Sequence, residues 1–179
     1  MVRHFFLFAL VVCPSVVFAT GRAPLNPRDQ ERYQRAKSKA LKEIRQDRCQ
    51  RFLAAHGIDP GLFFETLKNQ QAYDGPHSTL TQEEAETTIN APYLTVARGF
   101  QRRHINACAS YNGTDVYFAK GHHIREAVIE HEALHNMLKI GDEELQLRLG
   151  LKSQVEYTGN VTETLENHGC APHPLSRIF

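Results

Sequence analysis

Excess charge of either sign is nearly absent. The 179 residues carry a formal net charge of +1, so composition gives no support to nucleic acid as a main partner. Long apolar runs are missing after the first 19 residues, which leaves no further segment able to span a bilayer. There is no internal repeat and no low-complexity tract, and the length suits one domain with its own core. Cysteine is scarce at four. One of these, Cys13, lies in the opening apolar run, so the remaining Cys49, Cys108 and Cys170 are an odd set and cannot all pair with one another.

That opening run has the build of an export signal. A basic tip (Arg3, His4), an apolar stretch from Phe5 to Val12 and the small-residue pattern Val17-Phe18-Ala19 mark residues 1–19 for removal. The stretch is too short for an anchor, and bulky Val12 and Pro14 beside Cys13 argue against lipidation. A secreted or periplasmic protein is expected, free of the membrane once the signal is gone, in a compartment where thiols within reach of each other pair. Cys49 and Cys170 are the expected pair, since each falls near the end of a helix-forming segment. Cys108 sits mid-strand, where a small buried apolar role suits it. Three unpaired thiols are the alternative.

Residues 20–27 lack periodicity and are expected as a flexible lead-in, residues 28–170 as the domain, and residues 171–179, with two prolines, as a loose tail. From Arg28 to about Ala55, good helix formers with apolar residues at Tyr33, Ala36, Ala40, Ile44, Phe52 and Leu53 predict one long amphipathic helix. Its Lys/Arg excess is interspersed with acids and reads as a solvated face. Gly57 ends that helix, and Asp59-Pro60 supplies an N-cap and a first-turn proline for a short helix through Leu62, Phe63, Phe64 and Leu67. The polar stretch from Gln70 to Pro92 holds a turn at Asp74-Gly75-Pro76 and a short helix over 82–87. Next, Ile105, Ala107, Ala109 and Tyr111 alternate toward Asn112-Gly113, and Val116 and Phe118 alternate on the return. This is a hairpin pairing Ala109 with Val116 and Ala107 with Phe118. A helix is expected from His122 or Ile124 to Ile140, stopped by Gly141. Asp142 can cap a further helix through Leu149, and 161–168 form a last one before Cys170. The fold expected is a helix-rich α+β single domain, in which a small antiparallel sheet precedes a central helix and the long amino-terminal helix packs around it.

The central helix carries His131-Glu132-Ala133-Leu134-His135. At 100 degrees per residue the two imidazoles point within about 40 degrees of each other, one turn apart, so both can reach one metal ion. Glu132 points about 100 degrees away from His131, beside such an ion, where its carboxylate can take a proton from water. Ile124, Ala127, Val128, Leu134 and Leu138 share the broad face of the histidines, which places them on the inward side.

His-Glu-Ala-Leu-His on a helix directly after a strand resembles the zincin metallopeptidases, with the resemblance covering residues 104–142. The continuation Gly141-Asp142 and Leu149-Gly150-Leu151 is also similar to small secreted bacterial proteins with this motif. The resemblance implies zinc as cofactor, a peptide or protein as substrate, and Val116 to Lys120 as a substrate-aligning edge. It leaves the third ligand open. Metzincins would have glycine at 138 and histidine at 141, where this chain has Leu138 and Gly141. Asp142 can serve if the chain turns back sharply at Ile140-Gly141, although its reach is short and capping is its other role. Glu163 or Glu166 on a second helix is the thermolysin-like alternative. His122 and His123 point about 180 and 80 degrees from His131 and read as capping or surface residues. Tyr157 and His168 are candidates for an oxyanion donor. The expectation is a zinc-dependent peptide hydrolase with Glu132 as base and His131, His135 and Asp142 as ligands. An exported zinc-binding or adaptor domain without activity is the alternative.

Overall fold

The computed structural model describes residues 21–78, 107–110, 113–119, 121–152 and 159–172. Helix α1 (Pro27–Glu43) starts at Asn26, whose side chain accepts from the Asp29 amide at 3.0 Å, with Pro27 in the first turn. It buries Tyr33, Ala36 and Ala40, and Ile44 continues that stripe. The single helix expected to Ala55 is in fact two, since α2 (Asp47–Ala55) follows a turn at Ile44–Gln46. The phase of the apolar residues explains the break. In an unbroken helix Cys49 and Leu53 would point roughly 160 to 200 degrees away from Tyr33. The turn brings both to the core, where each is fully buried.

Gly57, at φ 67°, closes α2, and Asp59 caps α3 (Pro60–Asn69) by accepting from the Gly61 and Leu62 amides at 2.7 and 3.0 Å. Phe63 and Leu67 face the core from α3, each burial stabilising by about 1.5–3 kcal/mol. Phe64 is only partly buried and Leu62 is exposed.

The expected hairpin is present between β2 (Ala107–Ala109) and β3 (Asp115–Phe118), with Ala109 opposite Val116 and Ala107 opposite Phe118. A third strand, β1 (Gln71–Asp74), pairs with β3 in parallel, so the sheet is mixed with order β1-β3-β2. The central place of β3 corrects the expectation that Val116 onward forms an edge. The Asp74-Gly75-Pro76 turn follows β1 directly, with the Asp74 side chain accepting from the His77 amide. The lead-in is tied down along β1: Pro24 bridges Tyr73, the Asp74 amide donates to the Ala23 carbonyl, and Arg22 pairs with Asp115. The helix expected at 82–87, most of the tail and residues 1–20 lie outside the described residues.

A short 3-10 turn (Gly121–His123) leads into α4 (Glu126–Leu138), followed by α5 (Asp142–Arg148) and α6 (Gly159–Asn167). Helix α4 is the centre of the molecule. It packs against α1, α3, α6 and β2, and every residue from Glu126 to Asn136 is buried. Cys49 and Cys170 form a disulfide joining α2 to the end of α6, and Cys108 is a buried free thiol on β2. Among the described residues no helix is long and apolar enough to cross a membrane.

Candidate metal centre

Helix α4 ends two residues earlier than the sequence suggests. Lys139 adopts the left-handed conformation, φ 60°, and its amide bonds the His135 carbonyl. Continuing helically to Ile140 would have carried the chain about 3 Å further along the axis. The reversal instead folds residues 140–142 back over the last turn. Gly141 takes the N-cap position of α5 without a side-chain cap bond, and Asp142 is the first residue of that helix. Asp142 therefore does not cap α5. Its carboxylate points back at α4.

There it meets both histidines. Asp142 Oδ1 lies 3.1 Å from His131 Nε2 and 3.0 Å from His135 Nε2, and the two Nε2 atoms are 2.9 Å apart. His135 donates its Nδ1–H to the Ile140 carbonyl at 2.7 Å, so it is the Nε2 proton, shared with Asp142 in the metal-free site, whose loss frees a lone pair for a cation. Two imidazole nitrogens and a carboxylate oxygen thus converge on one point. Ligand atoms bound tetrahedrally at about 2.0–2.2 Å from one ion are separated by roughly 3.3–3.6 Å. The triangle needs to open by only a few tenths of an ångström to accept one. His131, His135 and Asp142 form a buried group that can bind a metal ion, and Asp142 is its most accessible member, with 18 % of its side chain exposed.

Electrostatics follows from this packing. Burial pulls the His131 pKa down, and the hydrogen bond that Asp142 accepts from the ring only partly offsets that. Burial acts the same way on His135, but the Asp142 bond, Glu132 and the Ile140 carbonyl together raise its pKa above the usual value. Asp142 is also penalised by burial, yet the two ring hydrogen bonds hold its carboxyl far below the ordinary range. Glu132 does not join the triangle. It is buried beside it, and burial pushes its pKa up to about 8, with His135 opposing the shift and Asp142 adding to it.

The other candidates stay outside the group. Glu163 is exposed on α6, and the charge of Glu166 acts on Glu130. His122 and His123 lie against each other on the 3-10 turn with ring centres 3.9 Å apart and tilted by 44°, and His168 stacks on Phe52 at 4.2 Å where α2 meets α6. Tyr157 lies outside the described residues.

Sequence reasoning missed a polar chain that holds the centre. The Tyr33 hydroxyl donates to the Gln70 side chain, and Gln70 donates to Asn136 Oδ1 at 3.2 Å. Asn136 in turn donates to the carbonyls of Ser110 and Asp115 at 2.9 and 3.2 Å. The residue after His135 is thereby bonded to α3's end and to both strands of the hairpin. The one signal for it was an amide directly after His135 on a helix that packs inward. Also unforeseen is Glu130, fully buried with no hydrogen-bond partner for either oxygen among the described residues. Its pKa is raised well above normal by burial and by Glu126, Glu43 and Glu166, so the carboxyl is held in its neutral form.

Comparison with family models, with curated proteins and with solved structures finds no match.

Proposed function

We propose that this protein is an exported zinc-dependent hydrolase of peptide bonds. The observation that carries the reading is the convergence of His131 Nε2, His135 Nε2 and Asp142 Oδ1 within 3.1 Å of one another, with Glu132 buried outside the triangle but within electrostatic reach of His135 and Asp142. Two imidazoles and one carboxylate suit zinc, and three protein ligands leave a coordination position open, as catalytic sites require. Among the described residues no fourth side chain joins the group. When bound, zinc supplies Lewis-acid polarisation of a carbonyl and acidifies water toward neutral pH.

The chain's own residues do the rest. His135 is oriented by the Ile140 carbonyl and Asp142 by the left-handed turn at Lys139. Glu132, which would be ionised beside a bound cation, would accept a proton from water and return it to the leaving amine. The Cys49–Cys170 disulfide supports export to an oxidising compartment. A second reading, a domain that holds zinc without catalysis, draws on the depth of the site, since only 2 % of the His135 side chain is exposed.

The deciding experiment follows cleavage of an unfolded protein substrate by the zinc-loaded protein and by Glu132→Gln, with metal content measured on both. The expected result is a loss of cleavage of about 10²–10⁴-fold at unchanged zinc content. Undiminished cleavage by Glu132→Gln removes Glu132 as the base, and equal inertness of both proteins with zinc bound selects the non-catalytic reading.

A further inference from the structure

A polar cleft of about 430 Å³ opens between the first turns of α1 and the junction of α3 with β1. One helical stripe of α1, Gln30, Tyr33, Gln34 and Lys37 at i, i+3, i+4 and i+7, forms one wall, and Asn69 and Gln71 contribute to the other. Among the described residues that line it there is no aspartate or glutamate. The half-buried Lys37 ammonium donates to the Gln70 carbonyl at 2.7 Å and lies 5.6 Å from the centre of the Tyr33 ring. No carboxylate among the described residues pairs with it. Lys68, at the same cleft, is instead held by Glu65 at 3.2 Å.

We propose that this cleft binds a small polar ligand bearing a carboxylate, which pairs with the Lys37 ammonium while the surrounding amides bond its neutral polar groups. An ammonium has three donors, and the Gln70 carbonyl takes one. Partial burial without a counter-charge is a desolvation cost that a bound anion relieves, in keeping with the lowered pKa of Lys37. Lys37, a positive charge with no carboxylate partner among the described residues, stands among neutral amides and balances one negative charge. That matches a carboxylate rather than a phosphate dianion, whose recognition draws on several cations or a bidentate guanidinium. The side chains of Gln30, Gln34, Asn69 and Gln71 offer donors and acceptors to hydroxyl or amide groups on the same molecule. The inference is independent of the metal centre and of hydrolysis.

Two sources share this chemistry, a sugar acid and an acidic peptide group, and two probes separate them. The side-chain amide signals of the full mature chain are followed by NMR during titration with glucuronate and, separately, with N-acetylglutamate. Glucose, N-acetylglutamine and inorganic phosphate serve as counterparts. Saturable shifts of the Gln30, Gln34, Asn69 and Gln71 amides with either carboxylate, at least about tenfold stronger than with its uncharged counterpart, support the proposal and identify the source. Lys37→Met should weaken that binding at least about tenfold, and so should Gln34→Glu, which places a competing carboxylate on an exposed position of α1 without touching the Lys37–Gln70 bond. His131→Ala should leave it unchanged. Absence of saturable shifts with both carboxylates, equal response to the uncharged counterparts, tighter binding of phosphate, or binding indifferent to both cleft substitutions overturns it.

Discussion

Neutral His135 can bind a cation only through Nε2, because its Nδ1–H is committed to the Ile140 carbonyl. The same residue scale sets a pH dependence for the metal-free protein. Glu132 titrates near pH 8 in the fold and near 4.5 in the ordinary state, so between these values the folded chain holds a proton that the unfolded chain has released. Its contribution to stability is therefore fully present below about pH 4.5 and is lost as the pH rises through about 8. Denaturant titrations of the metal-free protein across that window should show stability falling with pH, and Glu132→Gln should flatten the slope. A slope unchanged by the substitution would mean that Glu132 is not the titrating group. The positions of His131, Glu132 and His135 were legible because helix geometry alone fixes their relative directions. Asp142 was legible only as one of several candidates, since its reach depends on a single backbone conformation at Lys139 that a lysine does not advertise.

Between elements, two short connections carry the site. Lys139 sits at φ 60°, a conformation that costs a side-chain-bearing residue about 1–2 kcal/mol. Lys139→Gly should accordingly preserve metal affinity and stabilise the fold by about 1 kcal/mol, whereas the β-branched Lys139→Val should destabilise it and weaken metal binding by displacing Asp142. Thermal melts and metal titrations of the two variants make the comparison, and equal behaviour would contradict the role given to this turn. Gly121 is the second connection. A Cβ there would collide with the Asp29 carboxylate of α1, which lies directly over the glycine. Gly121→Ala should thus lower stability by about 1–3 kcal/mol; a neutral result in equilibrium unfolding would show that Asp29 moves aside freely. The hairpin register was readable from strict alternation beside Asn112-Gly113, and it is the observed one. Strand β1 was not, because Gln-Ala-Tyr-Asp has no alternation of its own and exists only through parallel pairing with a strand distant in sequence. The division of α1 from α2 was encoded in the phase shift between the Tyr33 stripe and Leu53, a signal that a count of helix formers overlooks.

Across the whole molecule, α4 is buried on all sides, so the metal-binding group lies in the core and its loading should stabilise the entire fold. A ligand at 100 times its Kd adds about 2.7 kcal/mol when only the native state binds it. The Cys49–Cys170 bridge closes a loop of sequence separation 121, for which chain entropy gives about 4–5 kcal/mol. Cys49→Ser with Cys170→Ser should therefore lower stability by about 2–5 kcal/mol in denaturant unfolding while leaving metal stoichiometry unchanged, because the bridge ties α2 to α6 and touches no ligand. A loss of metal binding in that variant would instead tie the centre to the bridge. The helix-rich α+β architecture and the expected cysteine pair were both readable in the sequence, the first through periodicity and the second because Cys49 and Cys170 fall near helix termini while Cys108 lies within a strand. The mixed order of the sheet depended on contacts that no local pattern carries. The most direct measurement is zinc stoichiometry after exhaustive dialysis, compared among the wild-type chain, His131→Ala, His135→Ala and Asp142→Ala. One ion per chain in the wild type, lost from each of the three variants while their folds persist by circular dichroism, is the result expected. A wild-type chain that retains no zinc, or an Asp142→Ala chain that retains it undiminished, would contradict the centre described.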